Sequence, residues 1–140
     1  MLQDKKYDLE ERTFNFAKRV RAHVCQIPKT TSNIEDGKQV IRSSGSVAAN
    51  YIEACEAISK KDELHRLKLC RKEAKESRLW LRLLCVPEDS ILETERMASA
   101  QEAFELTKIF ASIVHDREGT RIKTAVDKHE DVSREDSPCD

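Results

Sequence analysis

The sequence has few of the residues that break helices or build sheets and turns. Its 140 residues include three Gly and three Pro, and aromatic residues make up 5%. Because sheets need more turn and β-branched residues, this composition predicts an all-α protein whose core consists of Leu, Ile, Val and Ala. The length suits a single domain with a substantial core.

The sequence also has no long apolar run and no marked excess of charge. No segment approaches the length of a membrane span, and the opening MLQDKKYDLEER contains no hydrophobic signal segment. We therefore expect a soluble cytoplasmic protein that does not contact a membrane. The formal net charge of −1 gives no global attraction to nucleic acid or anionic lipid.

The cysteines are dispersed and form no C-x-x-C pair. They stand at positions 25, 55, 70, 85 and 139. An odd, dispersed set of this kind predicts reduced thiols. Cys55 and Cys70 fall on apolar stripes, where we expect them to pack as small apolar residues.

Apolar residues that recur every three or four positions predict four long helices. The first begins after Asp8 and is ended by Pro28. The second is capped by Ser32, with Glu35 three residues later completing a capping box. Short connections favour antiparallel neighbours, so we predict an up-down-up-down four-helix bundle.

The third and fourth helices are predicted from the same periodicity. The third begins at Ser59 or Asp62 and runs to about Cys85, and the fourth extends from residues 88–89 to about His115. Residues 116–140 hold eight acidic and five basic residues and no aromatic. Such a segment buries too little apolar surface to offset its ordering entropy. We therefore assign residues 1–115 to the bundle and 116–140 to a charged, mostly disordered tail.

The predicted second helix carries small residues on two adjacent stripes. One stripe consists of Ile34, Gly37, Ile41, Ser44, Ala48, Tyr51, Cys55 and Ile58, and the other of Val40, Ser43, Val47, Asn50, Ala54 and Ala57. A helix of this kind can approach two neighbouring helices closely. Gly45 in its middle indicates either close backbone contact or a kink.

The predicted third helix has three distinct faces at 100° per residue. The first is an apolar stripe suited to the core, formed by Leu67, Cys70, Ala74, Ser77, Leu81 and Leu84. The second is a basic stripe formed by Lys68, Arg71, Lys75, Arg78 and Arg82. Such a stripe follows a phosphate backbone if several copies line up in an oligomer, and it is otherwise a solvated face.

The third face of this helix has the composition of a subunit interface. It comprises Leu69, Glu73, Glu76, Trp80 and Leu83. Trp is enriched at interfaces, although a half-exposed Trp on a monomer surface is the alternative. The two glutamates need partners if they are buried, and arginines from a neighbouring helix are the expected ones.

The sequence contains no constellation typical of catalysis or metal binding. Asp62 and His65 form one pair, whereas a di-metal bundle needs Glu-x-x-His pairs on two helices and further carboxylates. His23, His115 and His129 have no ligand at suitable spacing and are expected at the surface. We therefore predict a protein that is not an enzyme and has no cofactor, metal site or small-molecule substrate.

Three sequence blocks resemble the bacterial 23S rRNA intervening-sequence proteins, also called S23 ribosomal proteins. The blocks are YDLEERTFNFA at residues 7–17, QVIRSSGSVAANYIEA at 39–54 and SKKDELHRLKLCRKEAKESRLWLRLL at 59–84. The resemblance implies a four-helix bundle that assembles as a five-fold ring. It also implies structural roles for motif positions. Close helix packing is expected at Gly45, Ala48, Asn50 and Glu53, and Asn50, Glu53, Glu73 and Glu76 are expected to make buried polar contacts.

The resemblance extends to a branch that serves diversity-generating retroelements. There the accessory protein binds a reverse transcriptase and nucleic acid through a basic surface. For this chain we expect a homo-oligomer, pentameric by resemblance, that acts as a scaffold and binds structured RNA or DNA through its basic stripe. The alternative is a protein–protein adaptor ring for a reverse transcriptase or another polymerase, with no nucleic-acid binding of its own.

Overall fold

The structure is a computed structural model that describes the backbone of residues 2–135 and the side chains of residues 8–119. It contains four helices, α1 (Leu2–Gln26), α2 (Thr31–Cys55), α3 (Lys60–Leu83) and α4 (Ile91–Glu135), and no strand in that range. Each helix packs against the next, and α1 also packs against α4, which closes a bundle. The predicted all-α four-helix bundle is confirmed. No helix in the described range is long and apolar enough to cross a membrane.

The core follows the apolar periodicity of the four helices. Its largest fully buried apolar side chains are Phe16, Val20, Val40, Val47, Leu81, Leu106, Phe110 and Val114. The rings of Tyr51 and Phe110 meet at a centroid distance of 5.9 Å and an interplanar angle of 54°, a tilted arrangement that aromatic pairs favour. Burial also raises the pKa of the Tyr51 hydroxyl.

The two small-residue stripes of α2 face two different helices, as predicted. On the α1 side, a Cβ atom added at Gly37 would lie 3.0 Å from Val24 Cγ1. On the α3 side, the hydroxyl oxygens of Ser43 and Ser77 lie 2.7 Å apart, and both side chains are fully buried. Because larger side chains at these positions would push the helices apart, α2 owes its close contacts to this pattern.

The close backbone contact predicted at Gly45 is not observed, because the atoms nearest to an added Cβ belong to a side chain. Helix α2 continues through it without interruption. An added Cβ would lie 2.8 Å from Arg21 Nη2, the end of a flexible side chain rather than a backbone. The Arg21 guanidinium donates hydrogen bonds to the carbonyl oxygens of Ala17 (3.1 Å) and Ile41 (3.2 Å). Gly45 therefore leaves room for an arginine that links α1 to α2.

The cap of α2 differs from the prediction. Thr30 Oγ1 accepts a hydrogen bond from the Asn33 amide at 3.2 Å, so Thr30 is the N-cap and the predicted Ser32–Glu35 capping box is wrong. Ser32 lies inside the first turn, where its side chain is no longer at the capping position. Of the two predicted starts of α3, Ser59 and Asp62, the structure selects Ser59 as the N-cap, since its hydroxyl accepts from the Asp62 amide at 3.1 Å.

The outer helices are longer than predicted at the chain ends. Helix α1 begins at Leu2 rather than after Asp8. Helix α4 begins at Ile91, after the Ser90 hydroxyl that accepts from the Glu93 amide, and it continues past the predicted end at His115 to Glu135.

The sequence beyond His115 explains why α4 does not end there. The stretch contains no Pro before Pro138, so nothing in it forces the helix to stop. Ion pairs from Glu118 to Lys68 (2.9 Å) and from Arg117 to Glu63 (3.0 Å) hold the start of this extension to α3. The division into a bundle and a tail stays a prediction, and residues 136–140 lie outside the described range.

Asn33 connects the two loops at one end of the bundle, a role that the sequence did not reveal. Its side chain is buried, and Nδ2 donates to the carbonyl oxygens of Pro28 (2.9 Å) and Cys85 (2.7 Å). Its Oδ1 accepts from the Cys85 amide at 2.8 Å. One side chain thus fixes the α1–α2 loop against the end of α3.

The thiols of the four described cysteines are free, as predicted. Cys70 is fully buried and Cys55 packs against the core, whereas Cys25 and Cys85 are exposed. Burial raises the pKa of the Cys70 thiol to about 12, so this group stays protonated and behaves as an apolar residue. Cys139 lies outside the described range.

His23 was expected at the surface, but it is 3% exposed. It continues the series Phe16, Val20, His23 and Ile27, whose four-three-four spacing places it on the buried side of α1. Neither ring nitrogen has a hydrogen-bond partner in the described structure. Burial lowers the His23 pKa, the positive charges of Arg96 and Arg19 add to this effect, and Glu95 opposes it.

We expect the free energy of unfolding to decrease as the pH falls below about 6.5, the ordinary histidine pKa. The unfolded chain then takes up a proton that buried His23 binds less readily, so stability present above this pH is progressively lost. One such group contributes at most about 1.4 kcal/mol per pH unit. Urea unfolding followed by circular dichroism between about pH 5 and 8 measures this slope.

The matched variants are His23→Gln and His115→Gln, the second at an exposed position. His23→Gln should remove the slope in this window, and His115→Gln should keep it. An unchanged pH dependence in His23→Gln would show that another group is responsible.

Candidate nucleic-acid interface

The orientation of α3 in the bundle is fixed by its apolar stripe. All six residues predicted to face the core are buried, namely Leu67, Cys70, Ala74, Ser77, Leu81 and Leu84. Helix α2 lies on one side of this stripe and α4 on the other. The two charged faces of α3 therefore meet different neighbours.

The predicted basic stripe lies along the α4 side of α3. Lys75 and Arg82 are exposed, whereas Lys68, Arg71 and Arg78 are half-buried. Lys68 Nζ forms an ion pair with Glu118 Oε1 at 2.9 Å, and the hydrogen bond from Lys68 lowers the Glu118 pKa. The positive charge of Lys68 is thus matched within the chain.

An aromatic ring from α4 lies beside the basic stripe. The Arg78 guanidinium carbon is 4.5 Å from the ring centroid of Phe104, and Lys108 Nζ is 4.7 Å from the same centroid. These are cation–π distances. Neither α4 residue was among the predicted site residues, although their i, i+4 spacing indicates that they share a face of a helix.

We define the basic groove as the surface where α3 and α4 meet that is formed by Arg71, Lys75, Arg78, Arg82, Phe104 and Lys108. None of its five cations forms an ion pair with a carboxylate in the described part of the chain. The groove thus combines one aromatic ring with five cations that form no ion pair in that part of the chain, although the positive charge of Arg71 helps to lower the Glu118 pKa.

On the other side of α4, its carboxylates form ion pairs with two arginines of α1. Arg12 Nη2 lies 2.6 Å from Glu102 and 3.0 Å from Glu105, and Arg19 Nε lies 2.9 Å from Glu95. The hydrogen bond from Arg19 lowers the Glu95 pKa. The α1–α4 contact therefore contains paired charges, in contrast to the basic groove.

The glutamates of the predicted interface face on α3 have a partner in the same chain. Glu73 is buried, and its carboxylate and that of Glu76 lie 3.4 and 3.5 Å from Arg42 Nη2 on α2. The expectation that an arginine from a neighbouring helix pairs with them is confirmed.

The apolar members of that face differ in exposure. Trp80 is half-buried and packs against the core, and its indole nitrogen is enclosed without a hydrogen-bond partner in the described structure. Leu69 is also half-buried. Leu83 is 52% exposed, and Leu79, which was not among the predicted interface residues, is 49% exposed. The apolar surface available to another molecule is therefore formed mainly by the two leucines.

The residues of α2 that were expected to pack closely differ in how far they are buried. Ala48 is half-buried, and Asn50 donates from Nδ2 to the Ser46 carbonyl oxygen at 2.9 Å and accepts from Arg66 at 3.3 Å. Glu53 is exposed within the single chain, and its expected packing role stays a prediction. Glu53 lies three residues beyond Asn50 on α2, so the turn of the helix places it further from α3 than Asn50.

A cavity of about 760 Å³ opens at the end of the bundle where α2 ends and α3 begins. Its apolar lining includes Tyr51, Leu67 and Ile113, and the Arg117–Glu63 ion pair lies at its edge. No histidine lines it. Among residues 8–119, no three His, Cys, Asp or Glu side chains are grouped so that they could hold a metal ion. The prediction that the protein is not an enzyme stays a prediction.

Comparison with known proteins identifies the family. Residues 5–112 match the 23S rRNA-intervening sequence protein family. A solved structure from Bacteroides thetaiotaomicron, a protein of unknown function from the S23 ribosomal protein family, is 28% identical and superposes with a TM-score of 0.68. That match covers 79% of this chain and 98% of the other. No curated protein matches the sequence. The chain belongs to the 23S rRNA-intervening sequence protein family.

Proposed function

We propose that this protein is a homo-oligomeric helical scaffold that binds structured nucleic acid through the basic groove. The observation that carries the proposal is the set of five groove cations without a carboxylate partner in the described structure. Unmatched cations on a rigid surface attract phosphates, and the release of counterions drives such binding. The proposal replaces Lys68 of the predicted stripe with Lys108, because Glu118 already neutralises Lys68.

The spacing of the groove cations suits a phosphate backbone. The α3 members from Arg71 to Arg82 recur every three or four residues, so they follow one side of the helix over roughly 16 Å. One nucleic-acid strand advances about 3.4 Å per phosphate along the axis of a duplex. One copy of the groove thus matches about five phosphates, and an oligomer would repeat the site.

The homo-oligomer is supported by the exposed leucines on the outer side of α3. Leu79 and Leu83 are about half exposed, and they are one helical turn apart. Contact with a second copy would remove this apolar surface from water. The five-fold ring implied by the resemblance is the form that we propose for the assembly.

A protein–protein adaptor is the alternative function. Phe14 on α1 is 55% exposed, and Ile34 and Ile52 on α2 are 45% and 47% exposed. Apolar side chains of this kind can dock a partner protein, such as the reverse transcriptase that the resemblance implies. Because apolar contacts respond little to salt, an adaptor would bind its partner with a weak salt dependence and without the groove cations.

Neutralising part of the groove tests nucleic-acid binding. We expect Arg71, Lys75 and Arg82 changed together to Gln to weaken binding of a structured RNA, as measured by fluorescence anisotropy at several salt concentrations. Each lost phosphate contact lowers the slope of log K against log salt by about 0.7 to 0.9, so three should lower it by about 2 to 3. Arg78 is left in place to keep its contact with Phe104.

The control for this experiment changes Lys18, Lys29 and Lys38 to Gln, which removes the same charge from exposed positions on α1, its following loop and α2. It should keep the salt slope of the wild type. A groove variant with the wild-type slope would contradict the proposal, and a wild type that binds no nucleic acid at low salt would favour the adaptor.

A change on the outer face of α3 tests the assembly. We expect Leu83→Ser to lower the native mass measured by light scattering after size-exclusion chromatography, because it weakens an apolar contact between copies. Ile91→Ser, at a position that is 83% exposed, should keep the wild-type mass. A folded Leu83→Ser variant with an unchanged oligomer mass would place the interface elsewhere, and a monomeric wild type would refute the assembly.

A further inference from the structure

The four phenylalanines of the chain have different environments. Phe16 and Phe110 are fully buried in the core, and Phe14 is exposed on α1. Phe104 is half-buried in the basic groove, with a cation from α3 and a cation from α4 within 5 Å of its ring centroid. It is therefore the phenylalanine placed among the cations proposed to hold phosphates.

We propose that Phe104 is a stacking platform for an unpaired nucleobase. The proposal rests on the proposed binding of nucleic acid by the basic groove and adds the class of ligand. The ligand is a single-stranded segment, such as a loop or a junction of a structured RNA, with one base on the Phe104 ring and its phosphates on the surrounding cations. An aromatic ring inside a positive groove is the usual arrangement for binding single strands.

The Lys108 ammonium group is the part of the present site that a base would displace. Lys108 is exposed and reaches the ring through a long flexible side chain. A cation–π contact at an exposed site is weaker than the stacking of a base on an aromatic side chain. The exchange therefore favours the base, and the displaced ammonium group becomes available to a phosphate.

The position of the ring selects unpaired bases. Phe104 lies between two helices and is flanked by long cationic side chains, so it does not project from the surface. Bases in a duplex are stacked on one another, and the deep major groove of an RNA helix is closed to side chains. A duplex can therefore reach the cations of the groove but not the ring.

The test compares a short single-stranded RNA with the duplex formed from it and its complement, by fluorescence anisotropy at constant salt. We expect Phe104→Leu to weaken binding of the single strand about fivefold to a hundredfold and to leave binding of the duplex within about twofold. Phe14→Leu is the matched control and should change neither. No loss for the single strand, or an equal loss for both ligands, would overturn the proposal.

An oligonucleotide with abasic positions makes the test independent of folding defects. If the ring acts through a base, wild type and Phe104→Leu should bind the abasic strand equally, since removal of either partner ends the same contact. Phe104→Trp should retain binding of the single strand and show fluorescence quenching that the duplex does not cause. An effect of Phe104→Leu on the abasic strand, or a Trp variant without quenching, would refute stacking.

The failure of this proposal is distinct from that of the proposed function. If the groove cations are needed for binding but Phe104→Leu matches the wild type, nucleic-acid binding stands and the stacking platform is refuted. If the Arg71, Lys75 and Arg82 variant binds like the wild type, the groove itself is refuted as the binding site.

Discussion

The close packing of α2 against both of its neighbours is the constraint on which the rest of the structure depends. The absence of a side chain at Gly37 leaves room for Val24 of α1. The hydroxyl oxygens of Ser43 and of Ser77 on α3 lie 2.7 Å apart. Since α2 is held at short distance to α3, Arg42 reaches the two glutamates on that flank. A larger residue at Gly37 or Ser43 would separate these helices and change which charges meet.

The charge distribution follows from this packing. The acidic flank of α3 is matched by Arg42 of α2, and the acidic flank of α4 is matched by Arg12 and Arg19 of α1. The two flanks that remain, one on α3 and one on α4, face each other across the basic groove. Its five cations thus form no ion pair with a carboxylate in the described part of the chain, which explains how a protein with a net charge of −1 carries a cluster of positive charge.

Helical periodicity predicted the directions of side chains well but not their partners. The core stripe of α3 and the two stripes of α2 came directly from spacing, because spacing defines the faces of a helix. Phe104 and Arg42 acquire their roles through a residue on another helix, so no pattern within one helix reveals them. The contact of Lys108 with Phe104 is different, because their i, i+4 spacing within α4 indicates it. His23 is different, because the series from Phe16 to Ile27 contains the signal for its burial.

Helix ends and the tail were harder to predict, since they depend on local competition. Thr30 and Ser32 are both capable caps, and the hydrogen bond to the Asn33 amide decides between them. Helix α4 runs past the predicted end at His115, because no proline interrupts the backbone there. Composition describes an average over a segment, whereas helix termination depends on single residues.

Membership of the family agrees with the four-helix fold. The groove cations that form no ion pair in the described chain are the reason to expect nucleic acid at this surface. The measurement that tests this claim most directly is chemical modification of lysines, read by mass spectrometry, with and without bound structured RNA. We expect Lys75 and Lys108 to become protected while Lys18 and Lys29 stay reactive. Protection confined to Lys18 and Lys29, or no protection under conditions where the RNA is bound, would contradict it.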